Sequence, residues 1–122
     1  MKTHNKYAEI EAFITKDGSL IRELMHPAMH GNRNQSFAEA CVPPGAATRL
    51  HRHRVSEEIY HITAGSGVMT LGEESFNVTS GDTVCIPPGT KHNIRNTGND
   101  ELRILCACAP AYAHADTELI DD

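Results

Sequence analysis

From residue 36 onward, short apolar-rich runs alternate with turn signals roughly every 8–12 residues, the spacing of an all-β sandwich or barrel. SFAEACV ends at Pro43-Pro44-Gly45, TRLHRH leads into EEIYHIT, and that run stops at AGSG. VMTL and SFNVT flank Gly72-Glu73-Glu74, a hairpin signature. TVCI runs into Pro87-Pro88-Gly89, HNIRN into Thr97-Gly98-Asn99-Asp100, and LRILCAC ends near Pro110. The pattern predicts about eight strands. Alternation also assigns faces. Glu58, Tyr60 and Ile62 share one parity and are expected inside, with His61 outside. Leu102, Ile104, Cys106 and Cys108 share another inward set, with Arg103 outward.

The first 35 residues are less regular. AEIEAFI reads as a short helix or an arm, and Pro27 and Gly31 interrupt ELMHPAMHGNRN. Residues 111–122 form an acidic tail. The expected organisation is one domain: an arm over 1–35 that serves a homodimer, a barrel over 36–110 and a tail over 111–122. At 122 residues the chain is long enough to bury a core without disulfide or metal staples.

Charge and composition remove several classes of function. A net charge of −5 excludes the basic surface that nucleic acid or an anionic membrane selects. The one basic cluster, RLHRHR at 49–54, is half histidine and is followed by Glu57 and Glu58. The N-terminus carries no apolar signal core and no run reaches membrane-helix length, so a cytoplasmic protein is expected. Cys41, Cys85, Cys106 and Cys108 lack C-x-x-C pairing and read as reduced thiols, not a structural zinc site.

The histidines change the picture. His51 and His53 stand two apart in a strand-like stretch and so share a face. Glu58 follows on the next run, near enough for an antiparallel neighbour, and His92 comes directly after the rigid Pro-Pro-Gly turn. Three imidazoles and a carboxylate make an N3O donor set for one divalent transition ion (Fe, Mn, Ni, Cu or Zn).

Two stretches resemble the cupin superfamily over roughly half the chain. GAATRLHRHRVSEEIYHITAG carries a glycine (Gly45), the H-x-H pair, the glutamate and a closing glycine (Gly65) at the first cupin motif's spacing. GDTVCIPPGTKHNIRN carries Gly81, Pro87, Gly89, His92 and Asn96 at that of the second. The resemblance implies a single-domain double-stranded β-helix, the cupin jelly-roll barrel, with an N-terminal arm. It also implies metal ligation by His51, His53, Glu58 and His92. Glu57 competes for the glutamate role, and the spacing to Gly65 favours Glu58.

TKDGSLIRELMHP and CACAPAYAHADTEL resemble small bacterial cupins often labelled mannose-6-phosphate isomerase-like. The chain nevertheless has no Gly-rich loop or Lys/Arg cluster for a sugar phosphate.

Three functions follow as expectations. In the first, the ion acts as a Lewis acid on a small sugar, hydroxy acid or keto acid and stabilises an enediolate or similar anion. Tyr60 would then serve as the catalytic proton donor or acceptor in isomerase or lyase chemistry. The second is an iron-dependent dioxygenase. The third is a non-catalytic module that binds a small ligand or metal. Cys106 and Cys108 read as core residues; Arg49, of the same parity as His51, either meets an anionic substrate or is solvated or in a dimer contact, and Tyr112 and His114 either close the barrel mouth or pack outside it.

Overall fold

Every second residue of EEIYHIT is buried: Glu58, Tyr60 and Ile62 face inward, while Glu57, Ile59 and His61 face water. Nearly the same alternation runs through LRILCACA, where Leu102, Ile104, Cys106 and Cys108 are inside. A computed structural model describes residues 3–120, and among them no α-helix forms. The strands are β1 (Phe13–Ile14), β2 (Leu20–Met25), β3 (Ser36–Val42), β4 (His51–His53), β5 (Glu57–Ala64) and β6 (Ser66–Leu71). They continue with β7 (Glu74–Thr79), β8 (Thr83–Ile86), β9 (His92–Asn96), β10 (Leu102–Ala109) and β11 (Thr117–Leu119).

They form two antiparallel sheets, ordered β1-β2-β3-β10-β5-β8 and β11-β4-β9-β6-β7, as expected of a cupin jelly roll. The β1–β2 hairpin extends the first sheet beside β3, and β11 extends the second beside β4, so segments from both flanks of the barrel motifs enter its walls.

The chain changes sheets at sharp corners. A single residue, Gly65, joins β5 to β6 with φ of +88°, and a Cβ there would meet the Glu101 carbonyl oxygen at 2.8 Å. That combination demands glycine. The Pro87-Pro88-Gly89 turn makes the crossing from β8 to β9. The Gly89 amide donates to the His53 carbonyl at 2.7 Å and the Thr90 amide to the Pro87 carbonyl at 3.2 Å, which pins the turn against β4. Asn96 locks the far end of β9. Its buried Nδ2 donates to the Val42 and Asp100 carbonyls, each at 2.8 Å, and its Oδ1 accepts from the Gly98 amide at 2.9 Å.

Register sorts the inner face of the first sheet into rows. Ile21, Ala40, Ile104 and Ile62 make an apolar row. The next row holds Glu23, Ala38, Cys106, Tyr60 and Val84. The row beyond holds Ser36, Cys108, Glu58 and Ile86. Ile62, Met69, Ile94, Leu102 and Ile104 close the apolar end, and the polar groups collect at the other. No helix among the described residues is long and apolar enough to cross a membrane.

Candidate metal centre

β4 turns His51 and His53 inward on either side of Arg52, whose Nε donates to Glu118 at 2.7 Å on the outside. His51 stands opposite His92 in the register of β4 and β9. All three histidines are buried, and each offers a ring nitrogen such that the three atoms lie within 4.8 Å of one another. Glu58, expected on a strand beside β4, faces them from the opposite sheet instead. Residues 54–56 carry the chain from one sheet to the other, because β4 and β5 belong to different sheets.

The outer partners of the imidazoles fix their protons. His51 Nδ1 lies 2.7 Å from the Arg49 carbonyl and His92 Nδ1 lies 2.9 Å from the Thr90 carbonyl. A carbonyl only accepts, so both Nδ1 atoms carry the proton. His53 Nδ1 lies 3.0 Å from Thr117 Oγ1. That hydroxyl spends its own proton on the Ala113 carbonyl at 3.1 Å and so accepts from His53. In the neutral rings, each Nε2 therefore presents a lone pair to the interior.

Those lone pairs face carboxylates. His53 Nε2 is 3.1 Å and His92 Nε2 3.5 Å from Glu58 Oε1, and His51 Nε2 is 3.5 Å from Asp17 Oδ2. His92 Nε2 is buried and its approach to Glu58 makes no hydrogen bond. Lone pair against carboxylate repels unless a proton or a cation lies between them. The donor set thus fits a first-row divalent ion.

Burial, reinforced by the neighbouring His92, lowers His51 from 6.5 to about 4, so its ring is neutral near pH 7. Burial alone would raise the Glu58 carboxyl, but the adjoining His53 and His92 rings outweigh it and hold it at about 2. Cys108 Sγ donates to Glu58 Oε2 at 3.3 Å, and burial next to that carboxylate pushes the thiol far up, so it stays a neutral donor. Cys106 is likewise a buried thiol. The Tyr60 ring stands edge-on to His92 with centroids 6.0 Å apart, and burial, then the Glu58 charge, raises its hydroxyl well above the usual range.

The chamber in front of these groups encloses about 610 Å³ of empty space when the open solvent at its mouth is counted. Several of its walls come from residues that sequence alternation did not single out. Asp17 sits on the turn between β1 and β2, its Oδ1 accepting from Thr15 Oγ1, Ser19 Oγ and the Ser19 amide. Glu23 enters from β2 and Thr117 from β11. The Asp-Gly pair at 17–18 signals a turn in the sequence, but nothing there says that the turn folds over a histidine. Tyr112 lines the chamber, with its ring 5.8 Å from that of His53, whereas His114 is exposed and does not. Arg49 is exposed, and its amide ties down the β1–β2 turn by donating to the Asp17 carbonyl at 2.8 Å.

Comparison with known proteins agrees with this picture. The cupin domain model matches residues 38–108. An uncharacterized protein of Methanocaldococcus jannaschii is 53% identical over 116 residues, covering 95% of this chain and 93% of its own. The crystal structure of a predicted oxalate decarboxylase from Thermotoga maritima superposes with a TM-score of 0.77 at 28% identity, over 88% of this chain and 99% of that one. The polyketide cyclase RemF of Streptomyces resistomycificus gives a TM-score of 0.83 over 100% of this chain and 87% of its own. At 19% identity it speaks for the fold alone.

Proposed function

The chain belongs to the cupin family, and we propose that it is a metal-dependent enzyme acting on a small oxygenated metabolite by isomerase or lyase chemistry. His51, His53, Glu58 and His92 are its ligands. The observation that carries this reading is the convergence of three inward Nε2 lone pairs, two of them facing Glu58 and that of His51 facing Asp17, each imidazole oriented by an acceptor at Nδ1. A divalent ion held there supplies Lewis-acid polarisation of a substrate oxygen.

The protein's own groups do the rest. Arg49 and Thr90 carbonyls and Thr117 Oγ1 hold the rings in the ligating tautomer. Cys108 orients the Glu58 carboxylate. Tyr60, kept protonated by burial, serves as proton donor toward the substrate from the chamber wall. Tyr112 and the Asp17 turn complete the lining of the chamber. The protein acts as a cytoplasmic homodimer in this reading, with Phe13 and Ile14 of the exposed edge strand β1 against a second copy.

The test is metal content by mass spectrometry of protein purified without chelator or affinity nickel, beside His92→Ala and Tyr60→Phe. Near one equivalent of a transition ion is expected in the wild type and Tyr60→Phe, and none in His92→Ala. Absence of metal from the wild type, with no uptake on adding ions, overturns the reading. Iron as the resident ion, with activity that needs oxygen, would move the same ligand set to dioxygenase chemistry.

A further inference from the structure

Glu23 stands outside the ligand set. Its side chain is 6% exposed, it lines the chamber, and its Oε1 is buried with no hydrogen-bond partner. Register explains the orphan. Across β2, β3, β10 and β5 the inward row reads Glu23, Ala38, Cys106, Tyr60, so the neighbouring strand offers Glu23 a methyl group and no donor. A buried acceptor without a donor destabilises the protein that carries it, and such a group calls for a missing partner. Tyr60 shares its row, so the two polar groups stand at one level of the chamber, one row from Glu58.

Charge narrows what that partner is. Asp17, Glu23 and Glu58 all line the chamber, and no lysine or arginine does so among the described residues. The two charges of a divalent ion are matched by the Glu58 and Asp17 carboxylates before Glu23 is counted. No positive charge is left over for a carboxylate or phosphate on the substrate.

We propose that Glu23 is the substrate-recognition residue of the chamber, accepting on Oε1 a hydrogen bond from a hydroxyl of a neutral, hydroxyl-bearing metabolite. The site then selects uncharged polyols and sugars against their acids and phosphates. This narrows the substrate class of the enzyme proposed above and rests on that reading for the second arm of its test only.

The first arm uses no metal and no ligand. Thermal unfolding of the metal-free protein is compared with Glu23→Met and Glu23→Gln. Removing an orphaned acceptor is expected to raise the midpoint of Glu23→Met by about 3–6 °C. A fall of that size would mean that Glu23 is a partnered structural group, and would overturn the proposal.

In the second arm, cobalt-loaded protein is titrated by NMR relaxation with glycerol, D-ribose and D-xylose, and with glycerate, ribonate, ribose 5-phosphate and oxalate. The best neutral probe is expected to bind at least ten-fold tighter than its matched anion. Glu23→Met should weaken it at least ten-fold with cobalt affinity unchanged. Tighter binding of the anions, no binding by any neutral probe, or a neutral probe indifferent to Glu23→Met each overturns the proposal. Failure of the wild type to take up cobalt would bring down the metal reading instead, and the unfolding comparison then decides Glu23 alone.

Discussion

Thr117→Val isolates one hydrogen bond of the centre. Thr117 is buried on β11, opposite His53 in the register with β4, and valine has its shape and favours strands equally well. The substitution keeps the backbone pairing and removes only the hydroxyl that accepts from His53 Nδ1 at 3.0 Å. A buried Nδ1–H left without an acceptor costs about 1–3 kcal/mol. The ring escapes that cost by moving its proton to Nε2, where it has Glu58 Oε1 at 3.1 Å, and in that tautomer it no longer offers a lone pair to a cation. Loss of such an outer partner lowers metal affinity by roughly 10–100-fold, or about 1.4–2.7 kcal/mol at 1.36 kcal/mol per decade. Zinc titration against a chromophoric chelator at pH 7 measures it, with circular dichroism as the control for folding. Thr117→Ser, which restores the hydroxyl, should return affinity close to that of the wild type. A valine variant that binds zinc within two-fold of the wild type would refute both the tautomer assignment and the role of His53.

Two further outcomes follow from burial and close packing. His51 titrates at about 4 in the folded protein against 6.5 when exposed, so the unfolded chain binds the extra proton between those values. The metal-free protein is therefore fully stabilised by this residue above pH 6.5 and loses about 3 kcal/mol as pH falls toward 4. The urea midpoint should follow that slope, and His51→Gln should flatten it; an unchanged slope would sink the assignment. A Cβ on Gly67 would run into the Arg95 carbonyl oxygen and meet Leu102 Cδ2 at 3.1 Å, so Gly67→Ala forces β6 away from β9 and should cost about 1–3 kcal/mol in urea unfolding. A loss below 0.5 kcal/mol, roughly the scatter of surface substitutions, would contradict that packing.

The barrel was legible where its strands alternate cleanly between turns that demand glycine or proline. β5 shows why: Glu58 is flanked by Tyr60 and Ile62 at the same parity, so its inward face is marked by apolar neighbours. β2 carries no such mark. In LIRELM the charged Glu23 is the buried residue while Leu20 and Ile21 are half-exposed, and alternation cannot tell an inward carboxylate from a solvated one. β11 is three residues long, too short for any period to register. The placement of Glu58 across the interior was not legible either. A three-residue connection suits both a hairpin and a change of sheet, and the choice is made by what β4 and β5 each pair with.

The division between legible and hidden also runs through the centre itself. His51 and His92 take their orienting acceptors from carbonyls two residues upstream, Arg49 and Thr90, so local backbone conformation sets both tautomers. The Pro-Pro-Gly turn is part of that local device, since the carbonyl it positions belongs to Thr90. His53 alone depends on a distant residue, Thr117, on a segment that Asp116 fastens to the crossing between β4 and β5 through the Val55 and Ser56 amides at 2.9 and 3.1 Å. The same segment brings Tyr112 against the His53 ring. Two of the imidazoles are thus set by their own strands, while the third is completed only when the C-terminal segment docks. Any change that loosens residues 111–120 should therefore reach the histidine cluster through His53 before it reaches the barrel, whose core lies at the opposite, apolar end.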